Sequence, residues 1–183
     1  VRTPSGGTGP LDPETTPYMV EPVNMLESRK HESVIFVGPA QSGKTQTLID
    51  GWVGYVVKCD PSDMTILQTS QDTARDYSKR RIDRMHRTSP AIKAELAGGS
   101  KSDNTYDKGY KAGNILSISW PSINQLSGRA IKRISLTDYD RMPQDVDKEG
   151  SPFHLARKRT TTFMSRGMTL VETSPGYEVT EPK

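Results

Sequence analysis

A chain of 183 residues with a single cysteine is long enough for one domain with one sizeable core and cannot form an internal disulfide bond. Its net charge of +3 is compatible with an anionic partner, and Cys59 with three scattered histidines offers no metal-ligand cluster. No apolar run approaches membrane-spanning length and no signal-peptide pattern is present, so we expect a reducing, intracellular setting.

The beginning of the chain is rich in glycine, proline, serine and threonine. Residues 1–17 are therefore expected to form a flexible N-terminal arm, and residues 18–183 the folded domain. Apolar residues recur at near-helical spacing over residues 18–26, with Pro22 among them, which predicts a short helix. The chain has no initiator methionine, so we expect it to be a piece of a longer protein.

A phosphate-binding loop follows a short apolar strand predicted over residues 34–37. The loop has the pattern G-x-x-x-x-G-K-T and consists of Gly38, Pro39, Ala40, Gln41, Ser42, Gly43, Lys44 and Thr45. Its backbone N–H groups and a helix over residues 46–57 would face phosphate oxygens. We predict that Lys44 reaches the β- and γ-phosphates and that Thr45 holds Mg²⁺. The alternative, a glycine-rich turn that binds nothing, fits poorly with this context.

The segment before the first strand has two interpretations. It packs on the adenine in many P-loop ATPases, and it could equally be an ordinary covering helix.

The rest of the chain alternates strands with helices. Further strands are predicted over residues 64–70, 114–120, 131–138 and 168–173, and further helices over residues 73–87, 89–96 and 151–163. A loop is predicted over residues 122–128. Residues 98–113 form either a polar loop that could serve a nucleic acid or, as we expect, an ordinary hairpin-like excursion. Such alternation implies βαβ crossovers. The fold class is therefore α/β, a P-loop NTPase of the ASCE type with a mainly parallel sheet flanked by helices and its ligand at the carboxyl ends of the strands.

The helix over residues 73–87 carries more basic than acidic side chains. Arg80, Arg81 and Arg84 could contact nucleic-acid phosphates, or they could form a solvated face. Both interpretations stay open.

An acidic strand end supplies the carboxylates that a phosphate loop needs, one for Mg²⁺ and one for the attacking water. Thr137 and Asp138 occupy the tip of the strand over residues 131–138, which makes Asp138 the water-activating or metal-side acid. In a register shifted by two residues, Asp140 takes the metal and Arg141 stands where a second acid is expected. We prefer Asp138 because it directly ends the apolar alternation; two surface aspartates in a turn are the alternative.

The strand over residues 168–173 places the hydroxyls of Thr173 and Ser174 beside the same sheet edge. They could sense the γ-phosphate, or they could serve the turn alone.

Together these motifs resemble the ATPase domain of the phage terminase large subunit, in the group typified by the phage lambda packaging protein. The resemblance covers roughly residues 18–176. Its carrying residues are 40–45, 136–143, 149–152 with 157–163, and 172–175. The block Glu-Gly-Ser-Pro over residues 149–152, with the basic helix after it, is the most specific piece.

The resemblance implies an ATP-driven motor that moves double-stranded DNA into an empty procapsid, with ATP and Mg²⁺ as cofactors. The implied partners are double-stranded DNA, a small terminase subunit, the portal protein and further large subunits in a ring, with no membrane, in the host cell cytoplasm. A large terminase also carries a nuclease with clustered acids. Nothing in these residues matches it, so we expect no nuclease activity from this chain.

The resemblance also assigns roles to individual residues. Nucleotide and Mg²⁺ binding fall on Lys44 and Thr45, and the coupling motif falls on Thr173 and Ser174. The family's Asp-Glu pair falls on Thr137 and Asp138, with Asp140 as the later acid. Here the sequence departs from the family, because a threonine stands at the metal-side position and the shorter aspartate at the catalytic one.

Ring ATPases often complete their sites with an arginine from a neighbouring subunit. Arg129 is the candidate because it lies in a loop before the acidic strand, whereas Arg133 on that strand is less free to move. A loop-capping role for Arg129 is the alternative.

Two other functions remain open at this point. One is another P-loop DNA-dependent ATPase of the helicase-like kind. The other is a nucleotide-binding module with a degenerate acidic site, which the threonine at position 137 favours.

Overall fold

The structure is a computed structural model that describes residues 12–99 and 103–176; of the predicted N-terminal arm, residues 1–11 lie outside these ranges. The strands in the described part are β1 (Ser33–Val37), β2 (Met64–Leu67), β3 (Asp107–Gly109), β4 (Ile115–Ser119), β5 (Arg133–Thr137) and β6 (Met168–Thr173). They form one sheet in the spatial order β1-β6-β5-β2-β4-β3, in which β3 is antiparallel to β4 and every other neighbouring pair is parallel. The predicted mainly parallel sheet is confirmed.

The α-helices are α1 (Val20–Met25), α2 (Gly51–Lys58), α3 (Gln71–Tyr77), α4 (Asp83–Thr88), α5 (Pro90–Lys93), α6 (Ile123–Leu126) and α7 (Pro152–Thr160), with 3₁₀ turns over Pro17–Met19, Tyr139–Arg141 and Thr161–Arg166. A π-helical segment, Thr45–Asp50, leads into α2, and another, Ser78–Ile82, joins α3 to α4. These continuous helices match the predictions over residues 46–57 and 73–87. No helix in the described part of the chain is long and apolar enough to cross a bilayer.

The segment over residues 98–113 was predicted to be a hairpin-like excursion, and β3 does form an antiparallel hairpin with β4; the other interpretation, a polar loop, is wrong where β3 occurs. The backbone of β3 pairs with β4, and its Lys108 is buried. The Lys108 ammonium lies 2.8 Å from the Asp83 carboxylate and 2.7 Å from that of Asp103. This charged cluster fixes a strand whose residues have little intrinsic preference for one.

Two shorter elements also differ from the sequence predictions. The loop predicted over residues 122–128 contains α6, whose Leu126 is buried in the core. The helix predicted over residues 89–96 ends at Lys93, and the next residues form a turn before β3. Both differences concern single helical turns, which tertiary packing decides.

Apolar side chains cover the sheet on both faces. One core packs the helix after the phosphate loop and α3 against the sheet, and it includes Leu48, Ile49, Trp52, Ile66, Ala74, Ile118 and Leu170. The other packs α7 against the opposite face, and it includes Leu67, Ile134, Leu136, Leu155, Ala156 and Val171. Because side chains alternate along a strand, Ser135 and Thr137 of β5 lie on the face of α2.

A buried arginine anchors the amino end of β5. Arg133 is 1% exposed, and its guanidinium lies 2.9 Å from the Glu27 carboxylate and 2.6 Å from that of Asp60. Glu27 also accepts a hydrogen bond of 3.0 Å from the indole of Trp52. Arg133 thus ties β5 to the segments before β1 and after α2. Its role is structural, in keeping with the expectation that it has little freedom to move.

We expect Arg133→Ala to lower the free energy of unfolding by about 3–5 kcal/mol, because it removes the cation from a buried ion-pair cluster. The matched control is Arg157→Ala, which removes a surface pair with Glu32 and should cost less than about 1 kcal/mol. Urea unfolding followed by circular dichroism measures both. Equal losses in the two variants would contradict the anchoring role of Arg133.

Candidate nucleotide-binding site

The predicted phosphate loop leaves the carboxyl end of β1 and turns sharply into a helix. Gln41 and Gly43 have positive φ angles of 61° and 79°, a conformation that glycine adopts without strain. A Cβ on Gly38 would lie 2.6 Å from the ring of Phe36, so any larger residue there would have to displace that ring. The Gly38 N–H donates to the Thr173 carbonyl at 3.1 Å, which ties the loop to the end of β6. A loop of this kind at a helix start is an arrangement that binds phosphate.

The N-terminal segment contacts this loop through one tyrosine. The Tyr18 hydroxyl donates to the Ser42 carbonyl at 2.8 Å, while its ring remains 53% exposed. The short helix predicted over residues 18–26 therefore starts against the phosphate loop. An exposed ring in this place suits either of the two interpretations, a nucleobase contact or a simple cover.

Lys44 points into the protein and contacts oxygen atoms at the carboxyl ends of β1 and β6. Its ammonium donates to the Ser174 hydroxyl at 2.8 Å and to the Pro39 carbonyl at 3.3 Å, and it lies 3.4 Å from the Glu172 carboxylate. The side chain is only 7% exposed. The structure therefore brings the predicted phosphate-binding lysine together with the predicted coupling residue Ser174.

Glu172 was given no role in the sequence analysis, yet it lies at the centre of the site. It is fully buried, and its Oε1 is 3.4 Å from both the Lys44 ammonium and the Thr45 hydroxyl. Its Oε2 has no hydrogen-bond partner among the described residues. Burial raises the pKa of this carboxyl, the Lys44 charge opposes the rise, and the Asp138 charge adds to it. The sequence did contain a signal for this position, because Glu172 is an acidic residue within the otherwise apolar strand predicted over residues 168–173.

The predicted acidic tip of β5 lies beside Glu172. Thr137 is the direct cross-strand neighbour of Glu172, and its buried hydroxyl has no partner in the described part of the chain. Asp138 follows with φ 53° and ψ 47°, a left-handed conformation that aspartate and asparagine tolerate better than glutamate does. Such backbone strain concentrates at functional sites. The structure thus brings Asp138 to the phosphate-loop edge; its role stays a prediction.

Asp140 faces the turn after β6. Its N–H donates to the Thr173 hydroxyl at 3.1 Å, and its carboxylate lies against Gly176, where a larger residue would displace it. The loop that carries the acids is thereby linked to the predicted coupling residue Thr173. Arg141, which in the shifted register stands where a second acid is expected, belongs to the 3₁₀ turn over Tyr139–Arg141.

Arg129 lies elsewhere on the sheet. Its guanidinium donates to the Ser117 hydroxyl of β4 at 2.9 Å, and that hydroxyl donates to Asp107 at 2.7 Å. Two strands, β5 and β2, separate β4 from β6. Arg129 is therefore not brought to the phosphate loop of its own chain, and its action on a neighbouring subunit stays a prediction.

Two arginines of the basic helix predicted over residues 73–87 form ion pairs within the chain. Arg81 pairs with Asp50 at 2.8 Å, and Tyr77 donates to the same carboxylate at 2.5 Å. Burial raises the pKa of Asp50, and Arg81 opposes that rise. Arg80 pairs with Asp76 on the surface. The interpretation of Arg81 as a residue free to contact DNA is thus disfavoured, because it fastens α3 to the helix after the phosphate loop.

The donor set fits Mg²⁺ bound together with a nucleotide. No cluster of three or more His, Cys, Asp or Glu side chains suited to a metal occurs within residues 12–99 and 103–176. A P-loop Mg²⁺ does not need one, because it is bound through one or two carboxylates with substrate phosphates and water. The hydroxyl of Thr45 and the carboxylate of Glu172, one oxygen of which is unpartnered among the described residues, are oxygen ligands suited to such an ion.

The sequence matches a family described as phage terminase large subunit gpA, ATPase domain, over residues 5–181. The chain belongs to this family. It is therefore an ATP-hydrolase domain, and the resemblance found in its motifs is confirmed. No curated protein matches the chain significantly.

Solved structures share the fold of this terminase ATPase domain. The HK97 bacteriophage large terminase is similar with a TM-score of 0.65 and 15% identity, over 93% of this chain and 34% of that one. The large terminase ATPase domain of Thermus phage P74-26 is similar with a TM-score of 0.54 and 17% identity, over 94% of this chain and 72% of that one. The predicted P-loop NTPase fold is confirmed. The terminase ATPase domain spans about a third of the HK97 protein's length.

We expect Asp138→Asn to bind ATP and Mg²⁺ about as well as the parent and to hydrolyse ATP about 100-fold or more slowly. Asparagine keeps the size and the left-handed backbone of Asp138 and removes only the charge. The measurements are steady-state turnover and binding of a fluorescent ATP analogue. Asp140→Asn is the comparison: if it abolishes metal-dependent binding while Asp138→Asn is nearly silent, the shifted register is right.

Proposed function

We propose that this terminase ATPase domain is the motor portion of a phage DNA-packaging machine, which hydrolyses ATP to move double-stranded DNA into a procapsid. Membership of the terminase family supports the reaction class. The contact between Lys44 and Ser174 supports the coupling of ATP binding to movement, because it joins the predicted phosphate-binding residue to the end of the neighbouring strand β6.

This contact suggests how nucleotide binding is coupled to movement. Lys44 exchanges Ser174 for the phosphates when ATP binds, and Ser174 is then free to shift. The adjacent Thr173 accepts a hydrogen bond from the Asp140 backbone. A shift of the turn after β6 therefore reaches the loop that carries Asp138, so that nucleotide state and the position of the acid change together.

The chain supplies two further groups for the reaction. Asp138 orients the attacking water and accepts its proton. Thr45 would hold Mg²⁺ through its hydroxyl; the ion, when bound, neutralises phosphate charge as the bond to the γ-phosphate breaks.

The remaining parts of the proposal concern the whole machine. We propose double-stranded DNA, a small terminase subunit and a portal protein as partners, further copies of the large subunit in a ring, and the host cytoplasm as the place of action. The exposed Arg84 at the end of the basic helix remains a candidate DNA contact.

One observation favours a second candidate function. The threonine at position 137 removes the acid that the family places on β5, as expected in a nucleotide-binding module with little turnover.

ATP turnover of the full-length protein, measured alone, with double-stranded DNA, and with DNA and portal-bearing procapsids, separates the candidates. The packaging role predicts that turnover rises with DNA and procapsids. Lys44→Ala should abolish turnover, and the surface control Lys93→Ala should retain it. Nucleotide binding without turnover under every condition would favour the inactive module, and stimulation by single strands without procapsids would favour a helicase-like enzyme.

The proposed ring makes a trans arginine testable. Arg129→Ala subunits mixed with Lys44→Ala subunits should recover some turnover if Arg129 acts on the neighbouring site, where such an arginine is worth on the order of 10³ in rate. Ser117→Ala is the matched control, because it removes the contact that Arg129 makes in its own chain. Loss of activity in Ser117→Ala to the same extent, with no rescue in the mixture, would contradict a trans role.

A further inference from the structure

The acidic strand lacks a carboxylate at its metal-side position. Thr137 occupies the last position of β5 on the face of α2, and its hydroxyl is buried without a partner among the described residues. A hydroxyl bears no charge at neutral pH and is a weak substitute for a carboxylate near Mg²⁺. If this site binds Mg²⁺ with ATP and Asp138 orients the attacking water, the metal-side charge has to come from another residue.

The neighbouring strand offers a carboxylate at the same level of the sheet. Glu172 is paired in register with Thr137 on one side and with Phe36 of β1 on the other. It therefore lies on the face of α2 with Thr137, and β6 stands between the acidic strand and the strand that leads into the phosphate loop. A carboxylate on β6 is one strand closer to that loop than one on β5.

The contacts of Glu172 point towards the metal side of the site. One carboxylate oxygen lies 3.4 Å from the hydroxyl of Thr45, the residue predicted to hold Mg²⁺. The other oxygen is buried and has no hydrogen-bond partner in the described part of the chain. Buried carboxylates in folded proteins usually have both oxygens satisfied. A carboxylate that contacts Thr45 through one oxygen and leaves the other oxygen unsatisfied is suited to a bound cation.

The ion pair with Lys44 alone does not account for this arrangement. Lys44 already donates to Ser174 and Pro39, and its distance of 3.4 Å to Glu172 is the longest of the three contacts. An isolated buried ion pair also brings little net stability, because desolvation of the charges offsets their attraction.

We propose that Glu172 on β6 supplies the metal-side carboxylate that Thr137 on β5 cannot supply. Thr45 and Glu172 would then be the residues that hold Mg²⁺, and Asp138 would remain available for the attacking water. This inference rests on the proposed ATP site, and it assigns within that site a residue that the usual acidic pair does not include.

The test compares the affinity for a fluorescent ATP analogue in Mg²⁺ and in EDTA, together with Mn²⁺ binding to the ATP complex by electron paramagnetic resonance. Glu172→Gln removes the charge and keeps the size. We expect it to lose about tenfold or more of the enhancement by Mg²⁺ while its affinity in EDTA stays equal or rises, since Lys44 is released. The double variant Thr137→Asp with Glu172→Gln, which returns the carboxylate to β5, should recover part of the enhancement.

Two further variants keep the test decisive. Glu172→Asp retains a negative charge near Lys44 and so disturbs the fold less, and its shorter side chain should still weaken Mn²⁺ binding several-fold. Glu95→Gln, which removes a surface ion pair with Lys58 at the carboxyl end of α2, is the control and should behave as the parent. If Glu172→Gln and Glu172→Asp keep the parent's full metal enhancement, Glu172 only holds Lys44 in the empty site and the proposal is overturned. A failed packaging role shows itself separately, as metal-dependent binding in the parent without DNA-stimulated turnover.

Discussion

The cluster formed by Lys44, Glu172 and Ser174 joins the phosphate loop to the end of β6, and the rest of the site is arranged around it. A buried lysine needs acceptors, and in the described structure they come from the loop itself and from one neighbouring strand. This places a charged, water-poor contact where phosphates would bind. Any ligand that competes for Lys44 must therefore disturb the end of β6.

The strand order makes this contact possible. Because β6 is inserted between β1 and β5, the coupling residues border the phosphate loop on one side and the acidic loop on the other. Thr173 contacts both, since its carbonyl accepts from Gly38 and its hydroxyl from the Asp140 backbone. Arg133 and the paired Arg81 and Asp50 tie the surrounding elements together away from the strand tips.

Sequence patterns predicted what depends on local spacing: the strands, the phosphate loop, the long helices and the acid at the tip of β5. They did not predict the position of Glu172 beside Lys44 and Thr45, because that contact arises only when β6 is placed beside β1, which no local pattern reveals. The same holds for Arg81, whose partner Asp50 lies on another helix, and for β3, which is fixed by Lys108 between two aspartates. The errors therefore lie in contacts distant in sequence.

A structure of the chain with a non-hydrolysable ATP analogue and Mg²⁺ tests the central claim most directly. The account predicts that Glu172 meets the metal directly or through one water beside Thr45, that Lys44 leaves Ser174 for the phosphates, and that Asp138 faces the attacking water. A metal held by Asp138 or Asp140, with Glu172 still paired to Lys44, would contradict it.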